Sequence, residues 1–293
     1  MSQPPNKLSR EDSIVLIVGP TGVGKSTFIE YATGQDGGTV GHGLESYTAD
    51  IRTVRVKHPT HGHSVAFVDT PGFGDTYKSD TEILTTIAEW FIKSYKGHNN
   101  IAVIIYLHRI SDNRVNGSVL KNLHILPSLL GSKAMPNVVI ATTMWKKVTE
   151  EEGIAREKEL KSKFWNEMLA DGCRIERFTD TYDSAWEIID GPAKTNGAQV
   201  LLPHEMVDIR LRLNETGAGV ALNKELEKLI KDQKDAARRL RELVNSQDNE
   251  LVVQELNERK TELDETIRRT AAQLHQMKIP LTRKVRLFLK GRS

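Results

Sequence analysis

Eight residues near the N-terminus, Gly19-Pro20-Thr21-Gly22-Val23-Gly24-Lys25-Ser26, fit the spacing G-x-x-x-x-G-K-[ST]. Glycines in this pattern let successive backbone N–H groups turn inward around an anion, and a helix opening at Lys25 adds the positive end of its dipole. Lys25 is long enough to reach terminal phosphates, and the Ser26 hydroxyl can join a Mg²⁺ shell. A chance glycine turn would lack the flanks present here: the apolar run Ser13–Val18 before it and a helical pattern from Lys25 to Thr33 after it. A second group follows the apolar run Ser64–Val68, namely Asp69-Thr70-Pro71-Gly72-Phe73-Gly74-Asp75. An acid at the C-terminal end of a strand, followed by a glycine turn, suits water-mediated contact of Asp69 with Mg²⁺ and sensing of a γ-phosphate by the Gly72 amide.

These groups need a scaffold that presents strand ends and helix starts on one side. Strand-like runs occur at Ser13–Val18, Ile51–Lys57, Ser64–Val68, Ile101–Leu107, Asn137–Ala141 and Arg174–Phe178. Helical patterns lie between them at Lys25–Thr33, Thr81–Tyr95, Val115–Leu130, Glu150–Leu169 and Tyr182–Ile189. The alternation predicts an α/β, P-loop-type fold with a mostly parallel sheet flanked by helices. The runs 51–57 and 64–68, joined by the His/Gly-rich Pro59–His63, read as a hairpin, which makes one edge strand antiparallel. From Val220 apolar residues recur near every 3.5 positions (Leu222, Leu226, Leu229, then Leu256, Leu263, Met277), the texture of a coiled-coil-like helical extension. Asn245–Asn249 divides it in two, and Pro280 ends the second helix. The expected domains are 12–215 and 216–293.

With both motifs in place the chain resembles the translation-factor-type GTPases, and within them the septin, Toc chloroplast-import receptor and GIMAP group. Asp69–Asp75 looks septin-like. The strings LHRISDNR at 107–114 and ATTMW at 141–145 resemble uncharacterised fungal G-domain proteins of that group. The likeness spans about residues 13–190. It implies phosphate and Mg²⁺ binding by Gly19, Thr21, Gly22, Val23, Gly24, Lys25, Ser26 and Thr27. It places a first switch in Gln35–Asp50, where Thr48, with Thr39 as the alternative, would coordinate Mg²⁺ alongside Ser26 and Asp69.

Two departures bear on chemistry. Where many GTPases of this type carry a water-orienting glutamine, this chain has Phe73, whose ring cannot polarise water, so hydrolysis by the isolated chain is expected to be slow. Guanine recognition in the family uses Asn/Thr-Lys-x-Asp, but the segment here reads Ala141-Thr142-Thr143-Met144-Trp145-Lys146-Lys147, with no acid. Met144 and Trp145 are candidates for stacking on a purine, and Thr142 and Thr143 offer hydroxyls. Trp145 reads equally as a core anchor. Ser184-Ala185 resembles the last base-contacting loop, and neighbouring Asp183 is the candidate substitute carboxylate. The resemblance implies GTP/GDP with Mg²⁺, and the missing acid keeps ATP/ADP as the alternative.

In Toc receptors and GIMAP proteins, arginines in the loop matching 107–114 approach a partner's nucleotide across a head-to-head dimer. Arg109 and Arg114 are the corresponding catalytic candidates here, with ordinary surface pairing as the competing role. His108 is a candidate for ordering a water or for a dimer contact. His58, His61 and His63 share a polar turn without a fourth ligand, which argues against a transition-metal site.

Of the 293 residues one is cysteine, Cys173, so no internal disulfide or multi-cysteine metal site exists. No apolar run approaches the ~20 residues that cross a bilayer. The polar N-terminus Met1–Asp12 lacks a signal-peptide core and reads as a lead-in to a cytoplasmic protein. The stretch Lys278–Ser293 carries six basic residues and no acid, mixed with Leu281, Leu287, Phe288 and Leu289. That pattern suits either peripheral contact with anionic lipid or docking on the chain's own domain. Nothing beyond this tail suggests nucleic-acid binding. Three functional classes follow: a nucleotide-controlled dimerising switch, an adenine-nucleotide phosphohydrolase, and a non-hydrolysing scaffold working through its helices.

Overall fold

The computed structural model describes residues 8–34, 51–73, 78–112, 125–191, 197–245 and 250–278. The chain divides into two units, Met1–Leu211 and Arg212–Ser293. In the first, six strands form one sheet in the order β2-β3-β1-β4-β5-β6. These are β1 Ser13–Val18, β2 Arg52–Lys57, β3 Ser64–Asp69, β4 Asn100–Arg109, β5 Val138–Thr143 and β6 Arg174–Arg177. β1 pairs in parallel with β3 and β4, β4 with β5, and β5 with β6. β2 runs antiparallel to β3, so the hairpin expected from the sequence forms the edge.

The strand sequences explain this order. β1, β3, β4 and β5 are almost wholly buried along their length, the pattern of strands covered on both faces. β2 instead alternates: Val54 and Val56 pack against the core while Arg52, Arg55 and Lys57 interrupt them. Charged residues along an edge discourage further strand pairing. Asp12, just before β1, secures this side of the sheet by accepting from Arg55 Nε at 3.1 Å and Ser64 Oγ at 2.7 Å. One core face joins Val15, Ile17, Phe28, Phe67, Ile105, Leu107, Phe178 and Trp186.

Helices α1 Lys25–Thr33, α2 Asp80–Lys96, α3 at 125–130, α4 Glu150–Lys163, α5 Asn166–Ala170, α6 Tyr182–Asp190 and the short α7 Leu201–Pro203 connect the strands. α2 and α4 each begin with a capping box, Ser79 with Glu82 and Thr149 with Glu152, which satisfies donors at the helix start. The sequence predicts one helix over Glu150–Leu169, but the chain breaks at Phe164–Trp165, where both amides share the Leu160 carbonyl. The break turns Trp165 fully into the interior, edge-on to His108 with ring centroids 5.3 Å apart. Burial of the indole accompanies the break, and the chain resumes helix at once in α5. Of the helix expected over Val115–Leu130, only 125–130 falls among the described residues.

The second unit contains α8 Gly217–Asn245 and α9 Glu250–Met277, which pack against each other. The division between them falls at the polar segment identified in the sequence. α8 starts earlier than the apolar periodicity suggests because Thr216 caps it, its hydroxyl accepting from Gly219 N at 3.1 Å. Among the described residues no helix is long and apolar enough to cross a membrane.

Candidate nucleotide site

The connection from β1 to α1 folds as its glycines require. Gly19, Gly22 and Gly24 have φ of 147°, 77° and 96°, a region that disfavours side chains. At Gly19 a Cβ would stand 2.7 Å from the Leu107 carbonyl, so this glycine also lets β1 leave the sheet tight against β4. Lys25 is buried beneath the loop, with Nζ donating to Gly19 O at 3.1 Å and Pro20 O at 3.0 Å. Thr143, at the end of β5, donates from Oγ1 to the Val23 carbonyl at 2.9 Å and braces the loop from below. Thr27 lies half-buried in the first turn of α1.

Asp69 ends β3 beside Ile17 of β1 and is buried. Its Oδ2 accepts from Ser26 Oγ at 2.9 Å. A hydroxyl and a carboxylate thus converge beside the lysine, an oxygen donor set that fits Mg²⁺ with water completing the shell. Thr70 Oγ1 donates to Ile17 O at 2.8 Å and anchors the turn that follows. That turn lies directly on the glycine loop: Thr21 Oγ1 donates to Gly72 O at 3.3 Å, and Thr21 N to Phe73 O at 3.4 Å. A Cβ at Gly72 would come within 2.8 Å of Lys25 Nζ and 2.5 Å of Thr21 N. Only glycine admits this approach.

The fold is that of a P-loop NTPase. Residues 14–142 match the family model described as 50S ribosome-binding GTPase, which makes that stretch similar to a GTPase domain. No curated protein matches the chain. Among solved structures, Toc33 from Arabidopsis thaliana with GDP and Mg²⁺ is 15% identical, with a TM-score of 0.49, over 66% of this chain and 88% of that one. The same protein with Mg²⁺ and GMPPNP gives 18%, 0.45, 73% and 86%. The chloroplast translocon components atToc33 and psToc159, for whose GTPase activity dimerisation is important, give 13%, 0.49, 64% and 87%.

Of the residues singled out for the base, Thr143 touches the glycine loop through Val23, and the others have the following surroundings. Met144 has a left-handed backbone, φ 61°, and its Sδ lies 3.7 Å from Ser111 Oγ. Trp145 is half-buried: Nε1 donates to Thr142 O at 3.1 Å and Oγ1 at 3.0 Å, and the Arg177 guanidinium lies over the ring at 4.2 Å. Glu157 holds that guanidinium, and Gly153 of α4 sits against the indole edge. The Ser184 and Ala185 amides are engaged by Thr181, through its Oγ1 at 3.1 Å and its carbonyl at 3.2 Å, inside the cap of α6. Asp183 is exposed on the first turn of that helix.

Sequence reasoning passed over Asp180, which has φ 55° and pairs with Lys146 at 3.4 Å. Its only sequence signal is its place between β6 and the Thr181 cap, and the pairing is visible only in three dimensions.

Arg109, the last residue of β4, lies at the phosphate loop of its own chain, its Nη1 3.8 Å from where a Cβ on Gly22 would be. Its Nε pairs with Asp112 Oδ1 at 3.2 Å. Burial, aided by the charge of Arg109, pushes the His108 imidazole down to about 4, so His108 is neutral at physiological pH. His58 is committed to structure: Nε2 is 2.7 Å from Asp190 Oδ1, and Nδ1 accepts from the Thr60 and His61 amides. Among the described residues no group of three or more His, Cys, Asp or Glu could hold a metal ion. Thr39, Thr48 and Arg114 lie outside the described residues.

Proposed function

We propose that this chain binds a purine nucleoside triphosphate with Mg²⁺ and hydrolyses its terminal phosphoanhydride, as a GTPase-type switch stimulated by self-association. The observation that carries the reading is the convergence of Lys25, the Ser26–Asp69 pair and the Gly72 turn on one glycine loop. The family match over residues 14–142 supports it. Loop amides and the start of α1 hold the phosphates, and Lys25 neutralises charge that grows as water attacks in line. Ser26, Asp69 and Thr48 would hold Mg²⁺, which would supply charge neutralisation at the phosphate oxygens. The Gly72 amide registers the terminal phosphate, and its loss frees the turn. Phe73 leaves the attacking water unpolarised, so an arginine of the 107–114 segment, Arg109 or Arg114, completes charge neutralisation on association.

GTP is the expected substrate. The acid-free Thr143–Lys147 turn keeps ATP/ADP as the second reading, and a chain that holds nucleotide without turnover would act as a scaffold through its helices. Phosphate release should be measured with GTP and ATP across a range of protein concentrations, alongside chromatography of nucleotide freed by denaturing the purified protein. The reading predicts bound guanine nucleotide and turnover per chain that rises with concentration. Concentration-independent turnover removes the switch, turnover of ATP alone installs the second reading, and no turnover at any concentration leaves the scaffold.

A further inference from the structure

Arg109 is usually the kind of residue assigned by its exposure, but here the framework around it decides where its charge goes. Its backbone closes the parallel ladder, with Arg109 in register with Thr143. The next residue, Ile110, is buried in the core, its N–H donating to Thr143 O at 3.0 Å and its carbonyl accepting from Arg156 Nη1 at 3.1 Å. The side chain therefore leaves a fixed point of the sheet. Asp112 Oδ1 lies 3.2 Å from Nε, an ion-pair contact in which Nε makes no hydrogen bond, and Nη1 lies 3.8 Å from where a Cβ on Gly22 would be. Gly22 is the exposed crest of the phosphate loop. Thr143 fixes the other side of that loop through Val23. One strand pair thus positions both a brace beneath the loop and a cation beside its crest.

The geometry points to Arg109 as a binding residue for the polyphosphate held on its own loop, acting within one chain rather than across a dimer. A guanidinium offers several N–H donors in a plane, and with the Asp112 charge beside Nε the Nη1 end, which lies beside the loop crest, is placed for phosphate oxygens. This inference rests on the phosphate reading of residues 19–26 and adds to it which chain's nucleotide Arg109 serves.

Binding of N-methylanthraniloyl GDP with Mg²⁺, and of the ADP equivalent, should be titrated at protein concentrations where sedimentation gives a monomer. The full-length parent, Arg109→Ala, Arg109→Lys and Asp112→Ala are compared. Arg109→Ala is expected to weaken binding about tenfold or more, because a charge-assisted contact is lost. Arg109→Lys should fall between, having the charge without the fork, and Asp112→Ala should weaken binding severalfold by releasing the guanidinium. Arg109→Lys carries the test if the alanine variant does not fold. Parent-like affinity in both Arg109 variants overturns the inference.

A mixing experiment separates one chain from two. Arg109→Ala, with an intact loop, is combined with Lys25→Ala, with an intact arginine, and turnover is measured. No recovery is expected, whereas recovered turnover means the arginine acts across the dimer. If the parent itself binds neither nucleotide, the phosphate reading fails and this inference with it.

Discussion

At the residue scale, polar contacts too small to show in composition hold the site. Thr143 is expected from sequence to offer its hydroxyl to a base, and in the structure that hydroxyl donates to the Val23 carbonyl. Thr143→Val keeps the shape and removes the bond. It should cost about 1–2 kcal/mol, because a buried carbonyl is left without this donor, and weaken nucleotide binding severalfold; urea denaturation and fluorescence titration read the two effects. His108 provides a test in pH. Unfolded, its imidazole takes up a proton near 6.5, but folded it does so only near 4. Between those values falling pH favours the unfolded chain, so the stability tied to this group is whole above about 6.5 and is lost toward 4. The difference amounts to on the order of 3 kcal/mol. Urea midpoints at pH 7.5 and 4.5 should therefore differ less in His108→Gln than in the parent. An equal difference in both would mean that other groups govern the acid limb.

At the element scale, the sheet was legible because buried strands must be continuously apolar and the edge strand must alternate, and both patterns are plain in Ser13–Val18 and Arg52–Lys57. The phosphate loop was legible for a different reason: its glycines, lysine and serine are dictated by backbone geometry and charge within eight consecutive residues. The contacts around the base candidates were not. Trp145 reads by residue type as a stacking surface or a core anchor, and only the folded chain brings Arg177, 32 residues on, over its ring and Gly153 of α4 against its edge. The break at Trp165 was hidden similarly, since periodicity along α4 gives no hint of the partner His108. The close packing of Gly153 on the Trp145 ring predicts that Gly153→Ala, exposed to a Cβ–ring approach of 2.5 Å, destabilises the first unit by about 1–3 kcal/mol through overpacking. Thermal unfolding followed by tryptophan fluorescence checks this, and a parent-like midpoint would show that the indole is free to move aside.

At the scale of the whole molecule, the strand–helix unit Met1–Leu211 contains every described residue placed in the phosphate and Mg²⁺ site, and the helical unit Arg212–Ser293 contains none. A chain ending at Leu211 should therefore fold and bind nucleotide within about threefold of the full protein, and any concentration dependence of turnover that disappears with the cut belongs to the helices. Weaker binding by more than tenfold would show that the helical unit is needed to form the site.

The central claim, that the Gly19–Ser26 loop and Lys25 hold polyphosphate, is tested most directly by calorimetric titration of the parent and Lys25→Ala with Mg²⁺ and GTP, and with ATP in parallel. The account predicts saturable binding of one triphosphate per parent chain and a loss of about a hundredfold or more in the variant, since a buried ammonium aimed at the phosphates is removed. Equal affinity of parent and variant for triphosphate would contradict it.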